Sequence, residues 1–177
     1  MKKLIALLLT LSILVCFSAC GGEETNPDNI SGETYNAGNV SVLVPDGWKA
    51  FSVTDMWSEE ENATNPDQVN IVKGGKTDLD LLSKPYIQVI HYEPGSMITP
   101  SKEFYQSAND VESITTGSLT WEGFSATGLL DSSMIIMWTT NADGHQFQIN
   151  VYDKTNDGTI TMKDADVQAI LASIKIS

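Results

Sequence analysis

The stretch "SMIIMWTTNADGHQFQINVYD", Ser133 to Asp153, decides how this chain folds. In its second half Phe147, Ile149 and Val151 alternate with Gln148, Asn150 and Tyr152. A period of two buries one face of a β-strand and leaves the other polar. Asn141-Ala142-Asp143-Gly144 separates this run from the apolar run before it, and these are turn residues. The stretch therefore reads as a hairpin.

The same pattern spreads outward. "NVSVLVPDGWKAFSV" (39–53) alternates through Val40, Val42 and Val44, turns at Pro45-Asp46-Gly47, and returns from Trp48. Pro45 presets φ for such a turn and Gly47 accepts a positive φ. "QVNIVKGGKTD" (68–78) and "KPYIQVIHYEPG" (84–95) read as two more strands, with Gly74-Gly75 as a turn, and "SITTGSLTWEGFSATGLLD" (113–131) as another. Two segments change period. In "TPSKEFYQSANDV" (99–111) Thr99 can cap, Pro100 suits a first helical position, and Phe104, Ala108 and Val111 share a helical face. In "DADVQAILASIKIS" (164–177) Val167, Ile170, Leu171 and Ile174 form a stripe of helical spacing. The expected fold class is α+β: a twisted, mainly antiparallel sheet of about six strands flanked by helices.

The N-terminus carries a different signal. "MKKLIALLLTLSILVCFSAC" has two lysines and then an apolar run from Leu4 to Phe17, broken only by Thr10 and Ser12. That is an export leader, too short to read first as a spanning helix. "FSAC" followed by "GG" resembles the lipobox of bacterial lipoproteins, although Phe17 stands where an aliphatic residue is usual. The resemblance implies cleavage after residue 19 and diacylation of Cys20, which becomes the lipid attachment site and first mature residue. Cys16 would leave with the leader, so no disulfide is expected. Residues 20–34 form the lipidated cysteine and its tether. "GGEETNPDNISGET" has no periodicity and, as a coil, would span roughly 20 Å. The folded domain is expected over 35–177.

Charge narrows the partners. The chain has 23 acidic residues against ten basic ones, every one of them lysine. Removing Lys2 and Lys3 with the leader takes the formal charge from −13 to −15. Such a surface repels phosphate backbones and lacks the bidentate grip of arginine, so no nucleic-acid partner is expected. The expected partners are the membrane, through the N-terminal lipid, and an unknown protein or small-molecule ligand.

"NVSVLVPDGW" at the start, a central helix after a strand, a long hairpin and a closing "VQAILASIKI" together resemble the PsbP-like family, over residues 35–177. The likeness is to its small lipoproteins from non-photosynthetic bacteria. It implies an α/β/α sandwich and a binding or assembly role rather than catalysis, and it carries over no catalytic residue.

The chemistry-bearing residues are few. The histidines are His91, on the inward face of "YIQVIHYE", and His145, after the hairpin glycine. His91 reads as a buried, hydrogen-bonded histidine and His145 as a solvated one. Two separated histidines and no second cysteine do not suggest zinc. There is no nucleophile motif, so no catalytic residue is assigned. A hydrolase with a carboxylate-based site stays open as an alternative, because acids abound. Trp48, Trp121 and Trp138 fall in strands, while Trp57 in the acidic "DMWSEE" is the candidate for exposure.

"DKTNDGTITMKD", Asp153 to Asp164, approximates the spacing of a calcium loop. Asp153, Thr155, Asp157, Thr159 and Asp164 would be the ligands and Gly158 the sharp turn. Against calcium stand Thr155 at the third position, the short Asp164, Lys154 and Lys163, and a strand where a helix should enter. A connector with an Asn156-Asp157-Gly158 turn, and a Thr161/Asp164 capping box for the last helix, explains the same residues. Calcium is thus an alternative, and no other cofactor is expected. The first reading is a membrane-anchored extracytoplasmic lipoprotein with a non-catalytic binding or assembly role.

Overall fold

The structure is a computed structural model that describes residues 29–128 and 132–177. The leader and Cys20 lie outside the described residues. Among these residues twelve strands and one α-helix follow in chain order: β1 (Gly32–Asn36), β2 (Val40–Pro45), β3 (Trp48–Thr54), β4 (Thr64–Lys73), β5 (Tyr86–Tyr92), β6 (Asn109–Asp110), β7 (Ile114–Thr116), β8 (Leu119–Thr127), β9 (Ser133–Thr140), β10 (Gln146–Thr155), β11 (Gly158–Thr159), α1 (Ala165–Ser173) and β12 (Lys175–Ile176).

The β9–β10 hairpin is the centre of the larger sheet, whose order is β3-β4-β5-β10-β9-β8-β6 with every pairing antiparallel. Its turn is held by Asn141, whose Oδ1 accepts the N–H groups of Asp143 (3.0 Å) and His145 (2.9 Å). Gly144 there takes φ +87°, a conformation that disfavours any Cβ. The pairing register sets Phe147 against His91 and Ile149 against Val89, so the apolar sets of β5 and β10 share a face. β7 folds back on β8, and β11 on the end of β10. A smaller sheet, β1-β2-β12, carries the first and last strands on either side of β2.

The core lies between the two sheets. Val69, Ile71, Ile87, Val89, Met137, Phe147, Ile149 and Val151 of the large sheet pack with Val40 and Val42 of β2 and with Val167, Ile170 and Leu171 of α1. Each such side chain contributes about 1.5–3 kcal/mol on burial. Two polar contacts fix the layers: the Trp48 indole donates to Asp166 Oδ2 (3.1 Å), and Leu43 N–H donates to Ser173 Oγ (2.8 Å). On the outer face of the sheet Phe124, Ala126, Met134 and Ile136 make a smaller cluster, covered by Tyr105 and Ala108.

This overturns the α+β expectation. Strand makes up 49% of the described residues and helix 12%, with one α-helix among them, so the fold is sheet-dominated and not a sandwich flanked by helices. The helix expected over 99–111 is absent. Only Lys102–Phe104 makes a 3-10 turn, and Asn109 and Asp110 pair with Ser125 and Phe124 as β6. Phe104, which the helical spacing points inward, is 86% exposed, while Tyr105 packs on Phe124 at a centroid distance of 5.2 Å. Ser107 takes φ +55°, which a helix forbids. A three-turn helix is marginal alone, and the unpaired edge of β8 offers the segment backbone hydrogen bonds instead. At the other helix the cap also differs. Asp164 is the N-cap of α1, and its carboxylate turns back to accept from Thr161 N–H (3.2 Å) and Oγ1 (2.7 Å). Pairing of β1 with β2 starts at Gly32, so the end of the segment read as tether is strand.

Candidate functional site

Strand alternation gives the large sheet two unlike faces, and each carries a candidate site. On the outer face Tyr86 and Tyr152 are cross-strand partners of β5 and β10, and their rings stack at 4.2 Å with planes 15° apart. Burial, and then the hydrogen bond with Tyr152, push the Tyr86 phenol well above its ordinary pKa. It therefore stays a neutral hydrogen-bonding group and cannot act as a base near neutral pH. Beyond the stack runs a row of amides: Gln148 donates to Asn150 Oδ1 (2.9 Å) and Asn150 donates to Gln88 Oε1 (2.9 Å). The Tyr92 hydroxyl closes it on Gln148 Oε1 at 3.4 Å.

The stacked pair floors a groove of about 690 Å³, whose walls include Leu81, Leu82, Ala126 and Lys154. That volume lies within the usual range for a small-ligand pocket. The Leu81–Leu82 wall belongs to a 3-10 turn, Asp78–Leu82, which Asp80 pins. Its Oδ2 accepts the N–H groups of Lys76 (2.7 Å) and Thr77 (3.0 Å), and Lys84 lies 3.2 Å from Oδ1. These donors, the backbone ones first, hold the Asp80 carboxyl down at about 2. Leu82 is largely exposed at the rim.

On the inner face a histidine cluster closes one end of the core. His91 is 3% exposed, and its Nδ1 lies 2.7 Å from Asp67 Oδ1, which also accepts from Asn39 Nδ2 at 2.9 Å. A carboxylate has no proton to give, so His91 Nδ1 is the donor, and in the neutral ring Nε2 carries the lone pair. That Nε2 faces His145 Nδ1 at 3.0 Å, and Glu93 Oε2 lies 3.8 Å from the same His145 nitrogen. Register explains the convergence. Gln68 pairs with Ile90 and Gln146 with Tyr92, so Asp67 and His91, and then His145 and Glu93, fall opposite one another one step on. All four residues share the parity of Val69, Val89 and Phe147 and therefore the inner face. The sequence shows that His91 faces inward. It hides Asp67, Glu93 and His145, because their meeting depends on the register of three strands.

The residues of the calcium alternative lie in a hairpin and at the cap of α1. Thr155 and Thr159 are ladder residues of the β10–β11 hairpin, pairing with Gly158 and Lys154. The Asp153 carbonyl accepts Ile160 N–H (2.8 Å), and Asp164 is engaged by Thr161. Asp153 Oδ1 is buried without a partner. Yet among the described residues the one group of three or more histidine, cysteine or acid side chains at metal-ligand spacing is His91, Glu93 and His145. Asp153, Asp157 and Asp164 do not form such a group.

The tryptophans divide as their contexts suggest. Trp48 and Trp121 are buried, Trp138 packs edge-on against Phe124, and Trp57 is 94% exposed beside exposed Met56 in the β3–β4 loop. No helix among the described residues is long and apolar enough to cross a membrane. No known protein family matches the sequence, and no curated protein matches it either.

Proposed function

We propose that the chain is a lipid-anchored extracytoplasmic domain that holds a partner group or small molecule in the outer-face groove. The observation that carries the binding half is the groove itself: a stacked tyrosine floor, leucine walls and flanking hydroxyls and amides. Aromatic surface beside a few fixed polar groups is the usual make-up of a recognition site. Its described lining is made of leucine, tyrosine, hydroxyl, amide and lysine side chains, the chemistry of a surface that holds a ligand by contact and hydrogen bonds. The anchoring half rests on the leader and Cys20. The strongly acidic surface makes attachment through lipid more reasonable than attachment through charge.

Two measurements test the halves separately. Changing Cys20 to Ser should move the protein from the membrane fraction to the soluble one; retention in the membrane sinks the lipid anchor. Capture from native membranes should be compared between the wild type and Tyr152→Ala, with folding checked by circular dichroism. Loss of a bound species with the variant supports the groove. The same species held equally by both proteins rejects it.

A further inference from the structure

We infer that His91, His145 and Glu93 form a binding site for one zinc-class divalent cation, with Asp67 as the residue that positions His91. The site lies on the sheet face opposite the groove and is independent of the function proposed there. One ligand atom from each of His91, Glu93 and His145 lies within 4.8 Å of the other two, and His91 Nε2 and His145 Nδ1 face each other. Ligands about 2.0–2.1 Å from a tetrahedral metal are separated by roughly 3.3 Å. The measured separations, 3.0 Å for the nitrogen pair and 3.8 Å for nitrogen to carboxylate, bracket that value. A cation between them draws these separations toward that value, and Glu93, with a side chain 67% exposed, is free to make its share.

The surroundings match a metal centre as well as the ligands do. A metal-bound imidazole ordinarily donates its second N–H to a carboxylate, which fixes the tautomer and strengthens the ligand. Asp67 takes that N–H from His91, and Asn39 in turn holds Asp67. Two carboxylates beside two imidazoles are a set of groups that suits a dication. In the hydrogen bond between the histidines one proton lies between two nitrogens. An entering cation displaces it: His145 carries its proton on Nε2, and both facing lone pairs turn to the metal. Two nitrogen donors and a single carboxylate favour zinc-class ions over calcium and magnesium, which prefer all-oxygen shells. Three protein ligands beside the exposed Glu93 leave a fourth position for water or an incoming donor.

The test uses the purified full chain, stripped with a chelator, free of any polyhistidine tag, and titrated with zinc chloride by calorimetry and thermal melting. One zinc per chain and a higher melting midpoint are expected, with no response to equal calcium. His145→Ala should weaken zinc binding by about 100-fold or more, and Asp67→Asn by about 10–100-fold. Glu93→Gln, at an exposed position, keeps the fold intact and should also weaken binding. No zinc binding at millimolar concentration, or wild-type affinity in both His145→Ala and Glu93→Gln, overturns the site. Unchanged affinity in Asp67→Asn overturns the positioning role.

Discussion

Gly123 shows how little room the sheet leaves. A Cβ built there would lie 2.8 Å from Met137 Cα and against the Ile136 carbonyl, so β8 and β9 approach each other through this position. Gly123→Ala should destabilise the protein by about 1–3 kcal/mol, read as a lower urea midpoint at unchanged slope. Asp80 makes a second residue-scale prediction. Its carboxyl titrates at about 2, below the ordinary 3.8, because the native turn donates to its charged form. The stabilisation is therefore complete above the unfolded value and fades as pH falls from there through about 2. A carbon-13 titration of the Asp80 carboxyl should show that low midpoint, and Asp80→Asn should speed amide exchange in the Asp78–Leu82 turn at neutral pH. The histidine cluster marks what was not legible at this scale. His91 and Asp67 are 24 residues apart and His91 and His145 are 54, so no local motif announces them.

Elements were legible where one periodicity ran unopposed. β10 alternates through seven residues and β5 through another seven, and both are strands in the structure. The stripe of α1 likewise buries Val167, Ile170 and Leu171. Ile170→Ala there should cost about 2–5 kcal/mol in denaturant unfolding, because Ile170 is wholly buried between the sheets. The segment 99–111 misled because Phe104, Ala108 and Val111 meet helical spacing by coincidence, while Tyr105 finds the deeper contact. An isolated window records spacing and cannot record that β8 has a free edge. The 153–164 segment offers two readings, a connector with a helix cap first and a calcium loop as the alternative. Its aspartates sit at loop-like spacing, but Lys154 and Thr155 continue the ladder with β11 and carry the acids apart. Millimolar calcium should therefore leave the thermal midpoint where it was; a clear rise would revive the calcium loop.

For the molecule as a whole, composition conveyed a globular acidic domain but not its layering. Burial patterns along separate strands do not say which face receives a helix and which keeps a groove. The β3–β4 loop, with Trp57 at its surface, can be altered without touching either layer. Trp57→Ser should change stability by less than about 0.5 kcal/mol, measured by thermal unfolding. The small sheet has a consequence for the order of assembly. Lys175 and Ile176 pair with Ser41 and Val40, and Ser177 bonds to Asn36 and Asn39. β1 and β12 thus pair with the two edges of one strand, β2. Such distant pairing slows folding. While residues 175–177 are kept away from β2, the small sheet lacks one of its edge strands and the layer over the core stays open.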